Sequence, residues 1–267
     1  MTLMEYFWRA SQQIVMVTPD KQASDADIEG WGSGFILRYK NGYFFITCDH
    51  NVHMLDYDDN GTCTRTGIEF GIELVCNIKG ADNPLTTGMI TLPGFYYFDS
   101  YDLELPEGMD LVDISFATLP ETLPLPILTN RLCDFDGRTV IEEGLEKLFI
   151  DENAIAEVDE SSDYVITGCI HNQIRGGVRM ERRTTFREGI KFTGKKYLDT
   201  YLIFENPCKI ISDDWKGLSG SPVFNDKGNL VGMLNKVVDG TQMLYVTSIY
   251  KIIQFIDYSL AAKESTK

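Results

Sequence analysis

The stretch Gly217–Pro222 reads Gly-Leu-Ser-Gly-Ser-Pro, and it constrains the chain more than any other segment. Glycine reaches backbone angles that other residues avoid, so the glycines flanking Ser219 allow a sharp turn that exposes this serine. Apolar runs follow at 223–224 and 230–234 across an Asn-Asp-Lys-Gly turn, a pattern typical of a β-hairpin. The stretch predicts a loop whose amides point towards one spot, as in an oxyanion hole, although a simple surface turn has the same composition.

Length and charge narrow the classes of protein that remain. With 267 residues and 43% hydrophobic content, the chain can bury one large core or two coupled small ones. Its formal net charge of −16 argues against nucleic acid or an anionic membrane as the main partner. Glu5 and Arg9 interrupt the N-terminal apolar residues, and no segment reaches the length of a membrane span, so we expect a cytoplasmic protein. The six cysteines show no repeated spacing, which predicts free thiols and no disulfide framework.

Short β-prone runs recur along the chain, and few segments hold a helical period. The runs 31–39 and 43–48 are joined by Lys40-Asn41-Gly42, which predicts a hairpin with Asn-Gly at its centre. The run 111–119 is a further strand that carries one acid, and 120–126 holds three prolines, which indicates a connector between two halves. Apolar spacing from 249 to 260 favours an amphipathic C-terminal helix. The pattern predicts an all-β protein.

Three residues along the chain have the chemistry of a nucleophilic site: His50, Asp113 and Ser219. A serine hydroxyl needs an imidazole to take its proton, and the imidazole needs a carboxylate that holds its tautomer. Asp113 lies in an apolar run, where an unpaired carboxylate is costly, so it needs a partner. Asp110 is a rival for the acid, although the uninterrupted apolar residues follow Asp113.

Four segments in the same order resemble trypsin-like serine proteases of the chymotrypsin fold. These are the pair GSGFIL at 32–37 and FITCDHNV at 45–52, then DISFATL at 113–119, GLSGSP at 217–222 and YVTSIYKIIQFI at 245–256. The resemblance implies two six-stranded antiparallel β-barrels, an N-terminal one over 14–119 and a C-terminal one over 127–248. A terminal helix over 249–262 would follow, and the site would lie in the cleft between the barrels.

The same resemblance implies a role for each site residue. Ser219 would be the nucleophile, His50 the general base and Asp113 the orienting acid, with the amides of Gly217 and Ser219 as the oxyanion hole. Asn235, Lys236 and Val237 would lie on the strand that pairs with the substrate backbone. The implied function is a serine endopeptidase acting on protein substrates without a cofactor or metal. The alternative is a latent site on a scaffold that binds peptides or partner proteins.

Specificity and control are also implied. Asp213 lies six residues before Ser219, where the trypsin branch places the acid that receives Arg or Lys, so cleavage after basic residues is the hypothesis. Against it, Val237 replaces a frequent glycine, and Asp214 is an alternative acid. Leu218 stands where zymogens have the acid that pairs with a freed N-terminus, so activation by propeptide cleavage is not expected. In these respects the chain resembles the intracellular bacterial members of the family more closely. In those proteins a regulatory partner often controls activity.

Other patterns have simpler interpretations. Asp56–Gly61 matches the first half of a calcium loop but lacks the glutamate at the twelfth position, which favours a solvated turn. A zinc site from Cys48, His50 and His53 lacks a fourth ligand. His53 and His171 are predicted to be structural. The basic residues within 173–197 could dock an acidic partner, but the solvated face of a long hairpin is the simpler interpretation.

Overall fold

A computed structural model describes residues 1–18, 28–57, 63–64, 66–78, 86–97, 113–121, 127–133, 136–175, 179–197 and 200–265. The helices are α1 (Leu3–Ala10), α2 (Asp49–Val52) and α3 (Ile249–Ser265), with 3-10 turns at Met54–Asp56, Glu152–Ala154 and Ser212–Trp215. The strands are β1 (Ser11–Val17), β2 (Ile28–Tyr39), β3 (Gly42–Thr47), β4 (Gly71–Ile78), β5 (Thr86–Thr91), β6 (Tyr96–Tyr97), β7 (Ser115–Leu119), β8 (Leu132–Cys133), β9 (Thr139–Ile141), β10 (Ile150–Asp151), β11 (Tyr164–Arg175), β12 (Arg179–Tyr197), β13 (Tyr201–Glu205), β14 (Pro222–Asn225), β15 (Leu230–Val237) and β16 (Met243–Ser248).

The N-terminal half is a sheet in the order β5-β4-β1-β2-β3-β7-β6, with every neighbouring pair antiparallel. Among the described residues, no pairing joins β5 to β6, the strands at the two ends of this order. β10, from the other side of the proline-rich connector, adds to β2 in parallel. The second half of the sequence therefore contributes to the first sheet as well as to its own barrel.

The β2–β3 hairpin differs from its predicted form by one position. Tyr39 pairs with Gly42, and the two residues between them, Lys40 and Asn41, have φ of 46° and 62°. Two left-handed central residues are typical of a type I′ turn, so the turn is centred on Lys40-Asn41 and not on Asn41-Gly42. Both faces of the hairpin are buried, with Phe35, Leu37 and Phe44 in one apolar cluster and Ile36 and Phe45 in another.

The C-terminal half is a closed barrel of six antiparallel strands in the order β11-β12-β13-β16-β15-β14. Its interior is filled by alternate apolar side chains, among them Tyr164, Phe204 and Leu244, each with no exposed surface. α3 follows β16 directly and packs its Ile252 and Ile256 into a cluster that also contains residues of the first sheet. α1 contributes to the same cluster, since Phe7 stacks on Phe224 with ring centroids 4.9 Å apart.

Two further findings bear on the predictions from sequence. All six cysteines are free thiols. Within the described residues, no helix has both the length and the apolar character that crossing a membrane requires.

Candidate active site

The helix α2 carries His50, and one carboxylate holds both its backbone and its ring. β3 ends at Thr47, and the extended Cys48 turns the chain into the short helix. Asp113, just before β7, accepts from the His50 amide with Oδ1 at 2.9 Å. Its Oδ2 lies 2.7 Å from Nδ1 of the His50 ring. Asp113 therefore caps an amide that the helix cannot pair and also favours the tautomer with its proton on Nδ1.

Asn235 connects this pair to Ser219. Its side-chain Nδ2 donates to Oδ2 of Asp113 at 2.9 Å, and its backbone carbonyl accepts from Oγ of Ser219 at 3.2 Å. Among the described residues, no hydrogen bond joins Oγ of Ser219 to the ring of His50. His50, Asp113 and Ser219, the three residues predicted from the sequence, thus lie around Asn235 on β15. A change in the χ1 rotamer of Ser219 is the motion that redirects its hydroxyl.

The serine loop begins with a type II turn. Lys216 has φ −57° and ψ 123°, Gly217 has φ 99°, and the Leu218 amide donates to the Trp215 carbonyl at 3.0 Å. These angles define the type II class, whose third residue must have a positive φ. A Cβ at Gly217 would lie 2.6 Å from Cδ1 of Trp31, so only glycine fits here.

The two amides expected in the oxyanion hole are available. In the part of the chain that the structure describes, the amides of Gly217 and Ser219 donate to no protein acceptor. One of these donors lies within the turn and the other follows it, and an oxyanion hole needs two such amides without a protein acceptor.

Hydrogen bonds from the first half of the chain hold the serine loop. Oγ of Ser33 donates to the Gly217 carbonyl at 2.7 Å, and the Ser33 amide donates to the Ser219 carbonyl at 2.9 Å. Nδ2 of Asn51, on α2, donates to the same Ser219 carbonyl at 3.1 Å. Both carbonyls beside the candidate oxyanion donors are thus fixed from the opposite side of the cleft.

Leu218 anchors the loop from below. Its side chain is fully buried and belongs to the core cluster of the second barrel, together with Trp215. The guanidinium of Arg187 lies 4.9 Å from the centre of the Trp215 ring and donates to the Asp214 carbonyl at 2.6 Å. Leu218 therefore fixes the loop through apolar packing, which needs no partner charge.

The electrostatics around His50 favour its protonated form. Burial lowers the pKa of the imidazole, but the charge and hydrogen bond of Asp113, with a further contribution from Asp49, raise it above its ordinary value of 6.5. Lys236 opposes this rise. The ring keeps 29% of its side-chain surface exposed, so it can exchange protons with solvent or substrate.

Asp213 does not occupy a pocket. Its side chain is 70% exposed, and its carboxylate pairs with Nζ of Lys216 at 2.7 Å. Asp214 is exposed as well. In the 3-10 turn Ser212–Trp215 it is Trp215 that faces the core. The placement of Asp213 gives no support to the predicted preference for basic residues.

The segment 235–237 has the expected position beside the loop. β14 pairs with β15 as far as Met233, and Leu234 exchanges hydrogen bonds with Gly220 and Ser221. From Lys236 onwards the described pairing of β15 is with β16 only. One edge of this segment is therefore open to an extended peptide. Val237 packs against the barrel core, while Lys236 is exposed.

The residues weighed for a zinc site have protein partners. One ligand atom each of Cys48, His50 and Asp113 lie within 4.8 Å of one another. Nδ1 of His50 and Oδ2 of Asp113 are bonded to each other, and Sγ of Cys48 donates to the Leu234 carbonyl at 3.4 Å. Nδ1 of His53 lies 2.8 Å from Oδ1 of Asp49.

Several predictions fall on residues outside the described ranges. Asp110 and most of the calcium-like stretch 56–61 lie there. Asp56, at the start of that stretch, accepts from the amide of Thr66 at 2.9 Å.

Two further predicted features lie within the described ranges. His171 lies on β11. In the described part of the basic stretch, Lys191 pairs with Asp163 at 2.9 Å.

Sequence reasoning missed Ser33, Asn51 and the side-chain role of Asn235. Ser33 lies within GSGFIL, but nothing in that segment indicates a contact with residue 217. Asn51 is adjacent to the candidate base, but the polar run Asp49-His50-Asn51 does not show which side chain is buried, and it is the structure that places Asn51 against Thr47 and the Ser219 carbonyl.

Comparisons with known proteins identify the fold. No family model and no curated protein matches the sequence. Among solved structures, "Structure of GrC" matches with a TM-score of 0.52 and 12% identity, over 96% of each chain. The MamO protease domain from Magnetospirillum magneticum matches with a TM-score of 0.47 and 12% identity, over 94% of this chain and 97% of that one. At this identity the first match speaks for the fold alone. With a closed six-stranded barrel, a second antiparallel sheet and a C-terminal helix, the chain has the chymotrypsin-like two-barrel fold.

Proposed function

We propose that this protein is a serine endopeptidase that uses Ser219 as nucleophile, His50 as general base and Asp113 as the orienting acid. The observation that carries the proposal is the bond of 2.7 Å between Nδ1 of His50 and Oδ2 of Asp113, with Asn235 bonded to both Asp113 and Ser219. Ser219 follows directly on the type II turn, and Asn235 links its hydroxyl to the His50–Asp113 pair.

The chemistry follows from these positions. The Ser219 hydroxyl attacks the peptide carbonyl while Nε2 of His50 takes its proton, and Asp113 stabilises the imidazolium that forms. The carbonyl oxygen becomes an oxyanion between the amides of Gly217 and Ser219. The imidazolium then gives its proton to the leaving amine. Water, deprotonated by the same ring, finally hydrolyses the acyl-enzyme.

Covalent labelling with a fluorophosphonate tests this function. We expect one label on Ser219, found by mass spectrometry of the digested protein, and none in Ser219→Ala. His50→Ala should lose the label as well, and Asp113→Asn should slow it by about 10³- to 10⁴-fold. Ser259→Ala, a serine on α3, is the matched control and should label like the wild type. A folded wild type without any label would refute the proposal.

A second function is favoured by one specific contact. Oγ of Ser219 donates to the Asn235 carbonyl and not to His50, which is the arrangement of a latent site. A latent protein would use the open edge of 235–237 to hold a peptide without cutting it. Capture of a peptide by both the wild type and Ser219→Ala, with no cleavage by either, would identify this function.

Specificity is the finer part of the proposal. Because the Asp213 carboxylate is exposed and paired with Lys216, while Val237 packs towards the barrel core, we expect small side chains before the cut bond. A diverse peptide pool, incubated with the protein and read by mass spectrometry, tests this. Cleavage concentrated after Arg and Lys would restore Asp213 as the specificity residue.

A further inference from the structure

A second buried carboxylate lies directly beside the candidate base. Asp49 is the first residue of α2, its side chain has no exposed surface, and His50 is its neighbour in the chain. The roles proposed for His50, Asp113 and Ser219 make no use of Asp49. A fully buried carboxylate has a high desolvation cost, so its environment must supply compensating donors.

Among the donors to this carboxylate are three side chains of the described residues. Nδ1 of His53 lies 2.8 Å from Oδ1, and the hydroxyl of Ser115 donates to the same oxygen at 2.6 Å. The hydroxyl of Tyr57 donates to Oδ2 at 2.6 Å. These donors come from the end of α2, from β7 and from the segment after the 3-10 turn, so Asp49 joins three elements.

Two of these elements also position His50. β7 follows Asp113 directly, and the ring of Tyr57 faces the His50 ring edge-on with centroids 5.9 Å apart. The bond from Tyr57 to Asp49 therefore holds one wall of the space in which the imidazole lies. The Asp49 carboxylate also adds negative charge near the ring, since its charge is among the causes that raise the pKa of His50.

We propose that Asp49 is a positioning residue for His50: its carboxylate fixes α2 and Tyr57 around the imidazole and places a second negative charge near the imidazolium formed during acyl transfer. The kinetic part rests on the proposed peptidase function. The effect on the ring itself holds whether or not the protein cleaves peptides.

The charges around the two groups agree with this role. Burial raises the pKa of Asp49, but the hydrogen bond and charge of His53, with the hydroxyls of Ser115 and Tyr57, lower it below its ordinary value. Burial and the nearby carboxylates keep Tyr57 protonated by raising its pKa. The groups that act on His50, Asp49 and Tyr57 from the surrounding elements include Asp113, Lys236, His53, the thiol of Cys63 and the hydroxyl of Ser115.

NMR titration of the His50 ring in the full chain is the primary test. The chain has three histidines, so the His50 signal is assigned from His50→Gln. We expect the titration midpoint to fall in Asp49→Asn, because a negative charge near the ring is lost. Asp56→Asn is the matched control: Asp56 is also buried and lies in the next turn, but it bonds Thr66. In Asp56→Asn the titration midpoint of the His50 ring should stay at the wild-type value.

The rate of fluorophosphonate labelling against pH is the second measurement. In Asp49→Asn the acid limb should move to lower pH and the plateau should fall by about tenfold, since the imidazolium loses stabilisation. If the plateau of the labelling rate falls while the titration midpoint of His50 stays unchanged, Asp49 only supports the fold, and the proposal is overturned. An unlabelled wild type would end the peptidase proposal, and the NMR titration would still decide the role of Asp49.

Variants of the donors keep the test open if Asp49→Asn does not fold. Tyr57→Phe keeps the ring beside His50 and removes one donor, and Ser115→Ala removes another. Either change leaves the Asp49 charge less compensated, so the midpoint of His50 should rise. Midpoints unchanged in both variants would contradict the proposal.

Discussion

The two sides of the candidate site are stabilised in different ways. On the base side, ionisable groups surround the ring of His50: Asp113 bonds it, and Asp49 bonds Tyr57 beside it. On the serine side, the loop carrying Ser219 is held by glycine backbone geometry, by the apolar Leu218 and by uncharged hydrogen bonds from Ser33 and Asn51. The geometry of the base therefore depends on charge, whereas that of the nucleophile depends on packing and uncharged hydrogen bonds.

This difference predicts how each side responds to change. Packing and backbone strain do not titrate, so the serine loop should keep its shape over a wide range of pH. Hydrogen bonds to buried carboxylates weaken when those groups take up protons. Substitutions in the loop should then cost stability at every pH, while changes on the base side should show their effect only in a limited range.

Gly220→Ala should have the largest effect. Gly220 has φ 91°, and a Cβ there would lie 2.0 Å from the backbone oxygen of Ser33. Strain and overpacking together should lower the free energy of unfolding by about 3 to 5 kcal/mol. Gly240→Ala is the control, since Gly240 has φ 71° but open space around it, and it should lose about 1 kcal/mol. Urea denaturation measures both, and equal losses would show that Gly220 is not crowded.

Leu218→Ala should come next. Removing a fully buried leucine from the barrel core should cost about 3 kcal/mol. Leu202→Ala, in the same core but on β13, should cost a similar amount. Only Leu218→Ala should also slow the labelling of Ser219, because the turn that presents the oxyanion donors loses its anchor. Equal labelling rates in the two variants would mean that Leu218 is a core residue and nothing more.

Ser33→Ala should lose about 1 kcal/mol of stability, since the Gly217 carbonyl loses a buried donor. Ser11→Ala is closely matched, because Oγ of Ser11 donates to the Thr167 carbonyl at 2.9 Å, also across the two halves. Both variants should lose similar stability by urea denaturation. Labelling should slow about tenfold in Ser33→Ala alone. Slow labelling in Ser11→Ala as well would show that any lost hydrogen bond between the two halves slows the reaction.

The sequence predicted what local pattern encodes. The glycines around Ser219 required a turn, and the apolar run after Asp113 became β7, whose first described strand residue is Ser115. Contacts between distant segments carry no local signal, which is why the bond from Ser33 to Gly217 was missed. Asp213 shows that spacing alone does not place a side chain: it lies six residues before Ser219, and in the 3-10 turn it is exposed while Trp215 is buried.

The smallest expected effect is the pH dependence of the stability lost in His50→Gln. It distinguishes the base side of the site from the serine side most directly. The folded pKa of His50 lies above its unfolded value near 6.5, so the charged ring stabilises the fold fully below that value and loses this contribution as pH rises through the folded pKa. The loss of stability in His50→Gln should therefore shrink between pH 6 and pH 9. Leu218→Ala should lose the same amount at both pH values, because its side chain does not titrate. Urea denaturation at a series of pH values measures both, and parallel curves for the two variants would show that His50 is held by packing, as the serine loop is.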